Sequence, residues 1–449
     1  MTTRTREPLQ NYCARHFASR RCSEYSCTSV HSVSRAPAKR ELSFARDVFQ
    51  RLHGLVFVLA ILMALPAWAV VEGEPYLKLR HARTNNLFDA PSSPDAAVQR
   101  PRVSETQQIV TIGGVLQYTW GLQKATANAE AARVLHDDAD DLDHNTHVVG
   151  AGLDWQIARL WEGRVAAERR REQERFADRD NVTLGLLDRT TADVSVRWKP
   201  TPRWALEPSL GVRDVAHKRE TSRDADRDDV VVGLQGLYTG NPVATVGVGV
   251  DVTTGRFPNR RGQPQRFGTI GDGFQQTDAY ARVDYRFSGL STVQAELGYS
   301  WRDTRGLADD VVARDLTGAI GRIQYLRQHS ALTQLRLELF RALDSVEEVD
   351  AVSAERTGFV ADLSYLPTRR VRLQGLYRYE RLDFLGGGFD LVQEAREDRV
   401  DAYRVALRYQ PLFWLGISGG VESERRRSNR EDRSFDTRLG FIELEARYD

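Results

Sequence analysis

Between Arg370 and Phe384 the chain reads RVRLQGLYRYERLDF, with Val371, Leu373, Tyr377 and Tyr379 on one parity and Arg372, Gln374, Arg378 and Glu380 on the other. A period of two puts alternate side chains on opposite faces, so this stretch predicts a strand with one apolar and one polar face. The pattern recurs about 18 times, from Tyr76–Thr84 to Asp436–Tyr448, in runs of roughly 8 to 14 residues, the length that crosses a bilayer at a tilt.

The connections separate a soluble sandwich from a membrane barrel. Tight turns such as KPTPR, TGNP, SGL and LPTR alternate with long polar segments such as NNLFDAPSSPDAAVQRPRVSE, HDDADDLDHNT and DFLGGGFDLVQEARED. That alternation is expected of an antiparallel up-and-down barrel with short periplasmic turns and long extracellular loops. A sandwich would need one apolar core shared by every strand, whereas a closed barrel leaves no edge and satisfies its backbone within lipid.

Face chemistry agrees with a lipid outside and water inside. In TVQAELGYSWRD, Val293, Ala295, Leu297, Tyr299 and Trp301 oppose Gln294, Glu296, Ser300 and Arg302. Trp155, Trp161, Trp198, Trp204, Phe287, Tyr365, Tyr409, Phe413, Trp414 and Tyr448 fall at strand ends beside the short turns, where an interfacial girdle belongs. The end of the chain, GFIELEARY, is similar to the C-terminal insertion signal of outer-membrane proteins, with one extra residue, Asp449.

Composition changes this picture less than it first suggests. A 28% charged chain with 41% hydrophobic residues and a mean hydropathy of -0.47 looks soluble, but only alternate residues of a barrel strand face lipid. Residues 51–69, RLHGLVFVLAILMALPAWA, read as a secretory signal peptide ending in a small-x-small site before Val70. The apolar run is short for a spanning helix. Residues 1–50 carry all three cysteines and no periodicity, and are expected to be absent from the exported protein. Ten of the 63 basic and four of the 62 acidic side chains precede Val70, so residues 70–449 carry a formal charge of about -5 and no cysteine.

The polar parity of each strand then lines water. The lumen-lining candidates are Arg282, Asp284, Arg286, Glu296, Arg302, Arg336, Glu338, Arg372, Arg378, Glu380, Arg404, Arg408, Glu422 and Glu424. Both signs occur, so pairing across strands competes with contact to a solute.

From Tyr76 to Tyr448 the chain resembles the outer-membrane barrels encoded in exopolysaccharide-biosynthesis operons (EpsL-like). The resemblance rests on HARTNNLFDAP, WKPTPRW, RDLTGAIGRIQY, LSYLPTRRVRLQGLYRYERLDF and YQPLFWLGISGGVESERRRSN. It implies export of a polymeric sugar through the bacterial outer membrane, with periplasmic and inner-membrane components as partners, and brings no catalytic residues.

Other chemistries have weaker support. The six His after Val70 lie in no nucleophile motif, and most are in polar loops. HDDADDLDH lacks the turn glycine and terminal glutamate of a calcium loop, and LGGGFD lacks the Lys-Ser or Lys-Thr of a phosphate loop. ERRRE and ERRRSN fit anionic lipid headgroups better than nucleic acid. The expectation is a non-enzymatic, cofactor-free barrel of about 18 strands in a Gram-negative outer membrane, passing a hydrophilic polymer. Its alternatives are a small-solute porin and a plugged structural barrel, the plug being Asn85 to Glu105 or the glycine-rich loop after Phe384.

Overall fold

A computed structural model describes residues 70–92, 100–178, 182–260, 271–306, 316–344, 353–385 and 396–448. The predicted signal, the residues before it and the glycine-rich loop after Leu385 lie outside the described residues. The chain forms one 18-stranded antiparallel sheet, in which each strand pairs with its sequence neighbours and the first pairs with the last. The strands are β1 (Val70–Thr84), β2 (Glu105–Trp120), β3 (Gln123–His136), β4 (His144–Ile157), β5 (Trp161–Gln173), β6 (Leu186–Thr201), β7 (Trp204–His217), β8 (Arg227–Tyr238) and β9 (Ala244–Arg256). They continue with β10 (Gly273–Ser288), β11 (Ser291–Arg305), β12 (Leu316–Ser330), β13 (Thr333–Asp344), β14 (Ser353–Thr368), β15 (Val371–Leu385), β16 (Glu397–Leu412), β17 (Leu415–Ser428) and β18 (Phe435–Arg447).

Closure rests on a ladder from Tyr76↔Arg447 to Thr84↔Leu439, which leaves no strand edge exposed. Strand ends at one rim are joined by tight turns at Gly121-Leu122, Pro202-Arg203, Gly289-Leu290, Ala331-Leu332 and Phe413-Trp414. Register shifts at Arg286/Ser288, Tyr365/Thr368 and Tyr409/Leu412 mark bulges beside these turns. Long connections gather at the other rim, several of them carrying short 3-10 segments such as Asp140–Leu142 and Phe176–Asp178.

The apolar parity faces outward. Val248, Leu297, Leu339, Val405, Val421 and Ile442 are all more than a third exposed, on the faces opposite the charged residues of the same strands. In a soluble protein such a continuous apolar band would be a liability; around a barrel it is the lipid contact. At the short-turn rim the bulky aromatics point outward, with Trp204 56%, Phe287 59% and Phe413 74% exposed. Trp161 and Trp198 stack there at 5.8 Å between rings. The Trp155 ring lies over Gly163 on the neighbouring strand, where an added Cβ would meet the ring at 2.4 Å.

Candidate channel lumen

The inward parity carries the chemistry. Each lumen candidate of the sequence stands on the parity opposite the exposed apolar one, and most are brought together in pairs. Arg282 donates to Asp284 at 3.0 Å along one strand. Across strands, Arg336 pairs with Asp362 at 3.5 Å, and Glu338 with Arg322 at 3.1 Å. Glu380 pairs with Arg356 at 2.5 Å. Glu422 accepts from Arg80 at 2.9 Å and lies 3.6 Å from Arg404, so β1, β16 and β17 are tied through one carboxylate. Arg408 takes Glu445 at 3.1 Å, and Arg378 takes Glu424 at 3.1 Å. Arg302 is buried with its guanidinium 3.7 Å over the Phe274 ring, and Glu296 lies opposite Arg282 on the neighbouring strand. Arg286 and Arg372 lie toward the short-turn rim, exposed, with no carboxylate in ion-pair range among the described residues.

Toward the long-loop rim the lumen is crossed by its own loops. After β1 the chain turns inward at Asn86, whose side chain donates to Ala90 O at 3.1 Å and Asp436 O at 3.0 Å and accepts from Ala90 N at 2.9 Å. Pro91 bridges Phe435, and Ser92 N donates to Ser434 O at 3.0 Å, which fastens this loop to the β17–β18 connection. Leu87 and Phe88 then pack with Leu142 of the β3–β4 loop and Phe176 of the β5–β6 loop. The Phe88 and Phe176 rings meet edge to face at 5.0 Å. Arg100 donates to Phe176 O at 2.5 Å and Asp432 O at 2.9 Å, and Arg175 pairs with Glu424 on β17. Connections along the arc of wall from β17 through β1 to β6 therefore meet at the mouth.

The sequence points to the loop Asn85 to Glu105 as a plug, but not to the partners it meets. The only signals of the clamp are single apolar residues inside polar loops: Leu87 and Phe88 in NNLFDAP, Leu142 in DDLDH and Phe176 in ERFAD. Beside the clamp, Asp398 is fully buried between Arg396 at 2.6 Å and Arg426 at 2.5 Å. On the inner wall of β1 to β5 smaller inward residues leave a recess of about 360 Å³ lined by Tyr76, Thr126, Asn128, Glu130, Glu168 and Arg170. There Tyr76 donates to Glu130 at 2.5 Å, and Arg170 to Glu168 at 3.1 Å. The arrangement offers hydrogen-bonding groups of both signs to a solute.

Three of the histidines serve the long-loop rim. His136 contacts Gln107 at 3.1 Å, His144 contacts Leu142 O at 2.8 Å, and His217 contacts Asp226 at 2.9 Å. None of these contacts is to a Ser, Thr or Cys nucleophile. Among the described residues no group of three or more His, Cys, Asp and Glu side chains is placed to hold a metal ion. In the β3–β4 loop, the His136 backbone N–H donates to Asp143 at 2.9 Å and holds its carboxyl below the usual range.

An apolar, aromatic-rimmed exterior around a charged interior has one stable setting. The chain is an outer-membrane β-barrel. No family model matches the sequence, and no curated protein does. Among solved structures, the barrel is similar to a BenF-like porin from Pseudomonas fluorescens Pf-5, at 12% identity and a TM-score of 0.46, covering 84% of this chain and 99% of that one. It is similar to OpdK of Pseudomonas aeruginosa, solved with vanillate, at 14% identity, a TM-score of 0.44 and the same coverages of 84% and 99%. A ferric enterobactin receptor (PfeA) mutant of Pseudomonas aeruginosa matches at 9% identity and a TM-score of 0.45, covering 84% of this chain and 80% of that one.

Proposed function

We propose that this barrel is a porin, a passive channel for small hydrophilic solutes. The observation that carries this reading is the loop clamp. Leu87, Phe88, Leu142 and Phe176, with Arg100 and Arg175, draw three connections over the outer mouth of a lumen whose wall is otherwise lined with mixed charge. A solute a few ångströms across can exchange hydrogen bonds with paired Arg, Glu and Asp groups and leave again, because each group already has a protein partner to return to. A sugar chain, the cargo implied by the sequence resemblance, would need the clamp displaced along its whole passage.

The test is liposome swelling and planar-bilayer conductance of the purified protein with solutes of graded size. Steady openings with a sharp size limit at about a disaccharide support a porin, on the scale of a channel narrowed by an inward loop. Passage or tight block by long exopolysaccharide would turn the reading to polymer export, and no current from a folded barrel would turn it to a structural role.

A further inference from the structure

Toward the long-loop rim the outward face changes character. On β16, Tyr409, Leu407, Val405 and Tyr403 give way to Asp401 and Arg399; on β17, Ile417 and Val421 give way to Arg425 and Arg427. On β18, Leu444 and Ile442 lead to Arg438 and Asp436; on β1, Leu77 and Leu79 lead to Arg83. This change marks the height at which hydrocarbon ends and lipid headgroups begin.

Charge at that height is not spread evenly. Arg399 stands directly opposite Arg427, a like-charged pair in which Glu397 answers Arg399 alone. Arg425 stands opposite Asp401 and Asp436, and Arg438 lies on the next outward step of β18, beside Asn85 and near Arg83. All five arginines are exposed. The acids among them are already engaged: Glu397 by Arg399 at 2.8 Å and Arg381 at 3.2 Å, Asp401 by the Tyr377 hydroxyl at 3.0 Å, and Asp436 by Arg102 at 2.8 Å. Arg83, Arg425 and Arg427 have no ion-pair partner among the described residues. On another part of the wall the outward face is acidic instead, with Asp214 directly opposite Asp228.

We propose that the outward face of β16, β17, β18 and β1 binds the phosphorylated glucosamine headgroup of lipopolysaccharide. Guanidinium groups grip phosphate oxygens in pairs, and Arg399 with Arg427, and Arg425 with Arg438 one step away across β17 and β18, stand as cross-strand neighbours on this face. Below them Val405, Leu407, Val421 and Ile442 continue the surface for the acyl chains. The proposal rests on the membrane placement and not on what the lumen conducts.

The experiment places the protein in phosphatidylcholine discs and titrates it with rough lipopolysaccharide, with the same lipid after dephosphorylation, and with inorganic phosphate, reading bound lipid by native mass spectrometry. The expected result is lipopolysaccharide binding that falls about tenfold or more on dephosphorylation, and by a similar factor when Arg399, Arg425, Arg427 and Arg438 are all changed to Ser. Asp214→Asn with Asp228→Asn leaves it unchanged. Binding that stays within about twofold in the arginine variant, or that ignores dephosphorylation, overturns the proposal. Equal competition by inorganic phosphate overturns the assignment to a lipid. Should the fourfold variant fail to show the compact migration of an unheated barrel, Arg425→Ser alone and the dephosphorylated lipid on the unaltered protein decide the matter.

Discussion

Arg175 and Glu424 are 249 positions apart in the sequence and form an ion pair across the outer mouth of the barrel. The pair is the polar half of the clamp whose apolar half is Phe88 on Phe176. Arg378 approaches the same carboxylate from the wall at 3.1 Å, so Glu424 keeps a partner when Arg175 is removed. Arg175→Ala is therefore expected to loosen the β5–β6 loop at little cost to the barrel, about 1 kcal/mol for a partly exposed pair. Single-channel conductance should rise and the solute size limit widen. Unchanged conductance with a folded variant would mean that the clamp does not limit flow.

Asp398 is closed off from bulk solvent. It is fully buried with Arg396 at 2.6 Å and Arg426 at 2.5 Å, the latter from the neighbouring strand. Replacing it with Ala removes a buried carboxylate from between two guanidinium groups, a loss of about 3 to 5 kcal/mol. Denaturant unfolding of the barrel in lipid vesicles measures it. Asp398→Asn, which keeps the shape and some hydrogen bonding, should fall between the two, and equal stability of all three forms would show the cluster to be hydrated.

The strands were legible because a period of two repeats down the whole chain and lipid allows few exceptions on the outward face. Their ends were not. β1 begins at Val70 and β8 at Arg227, each before the alternation becomes readable, because pairing continues beyond the lipid where the outward face no longer has to be apolar. The aromatic rim was legible for the same reason as the band: Trp204 and Phe413 stand beside turns that the sequence marks. Which lumen charges meet was not. Arg80 finds Glu422 only because the barrel closes, a pairing across 342 positions that follows from strand order and leaves no local trace. The loop clamp is the extreme case: its first piece lies in the Asn85 to Glu105 loop, but Leu142 and Phe176 have neither period nor apolar neighbours in sequence to announce them.

The two faces make opposite predictions for the same substitution. Val248 is 67% exposed near the middle of β9, on the outward parity. Val248→Arg is expected to cost about 2 to 4 kcal/mol, the cost of a cation near the bilayer midplane. Thr126, on the inward side of β3, borders the recess of about 360 Å³. Thr126→Arg should change stability by no more than about 0.5 kcal/mol, because the new charge reaches water and Glu130 or Glu168. Vesicle unfolding compares them, and equal costs would contradict the assignment of faces.

Asp89 gives the clamp a dependence on pH. It takes a left-handed backbone, φ 47°, in the loop after β1, and accepts from the Thr437 hydroxyl at 2.7 Å. Although part of the residue reaches the surface, its carboxyl is crowded by protein. Burial pushes its pKa up to about 7; the Thr437 hydroxyl works against this, the Glu424 charge adds to it, and Arg100 and Arg426 also oppose it. The seated loop thus holds a proton that a released loop, with an ordinary carboxyl, gives up. Seating is strongest below about pH 4 and weakens by up to about tenfold per pH unit as pH rises to about 7, one proton being linked to the release. The open fraction in bilayer recordings should rise over that window and level off above it. Asp89→Asn, whose side chain suits the same backbone, should keep the loop seated and flatten the profile. A profile that survives in the Asn variant would assign the titration to another group.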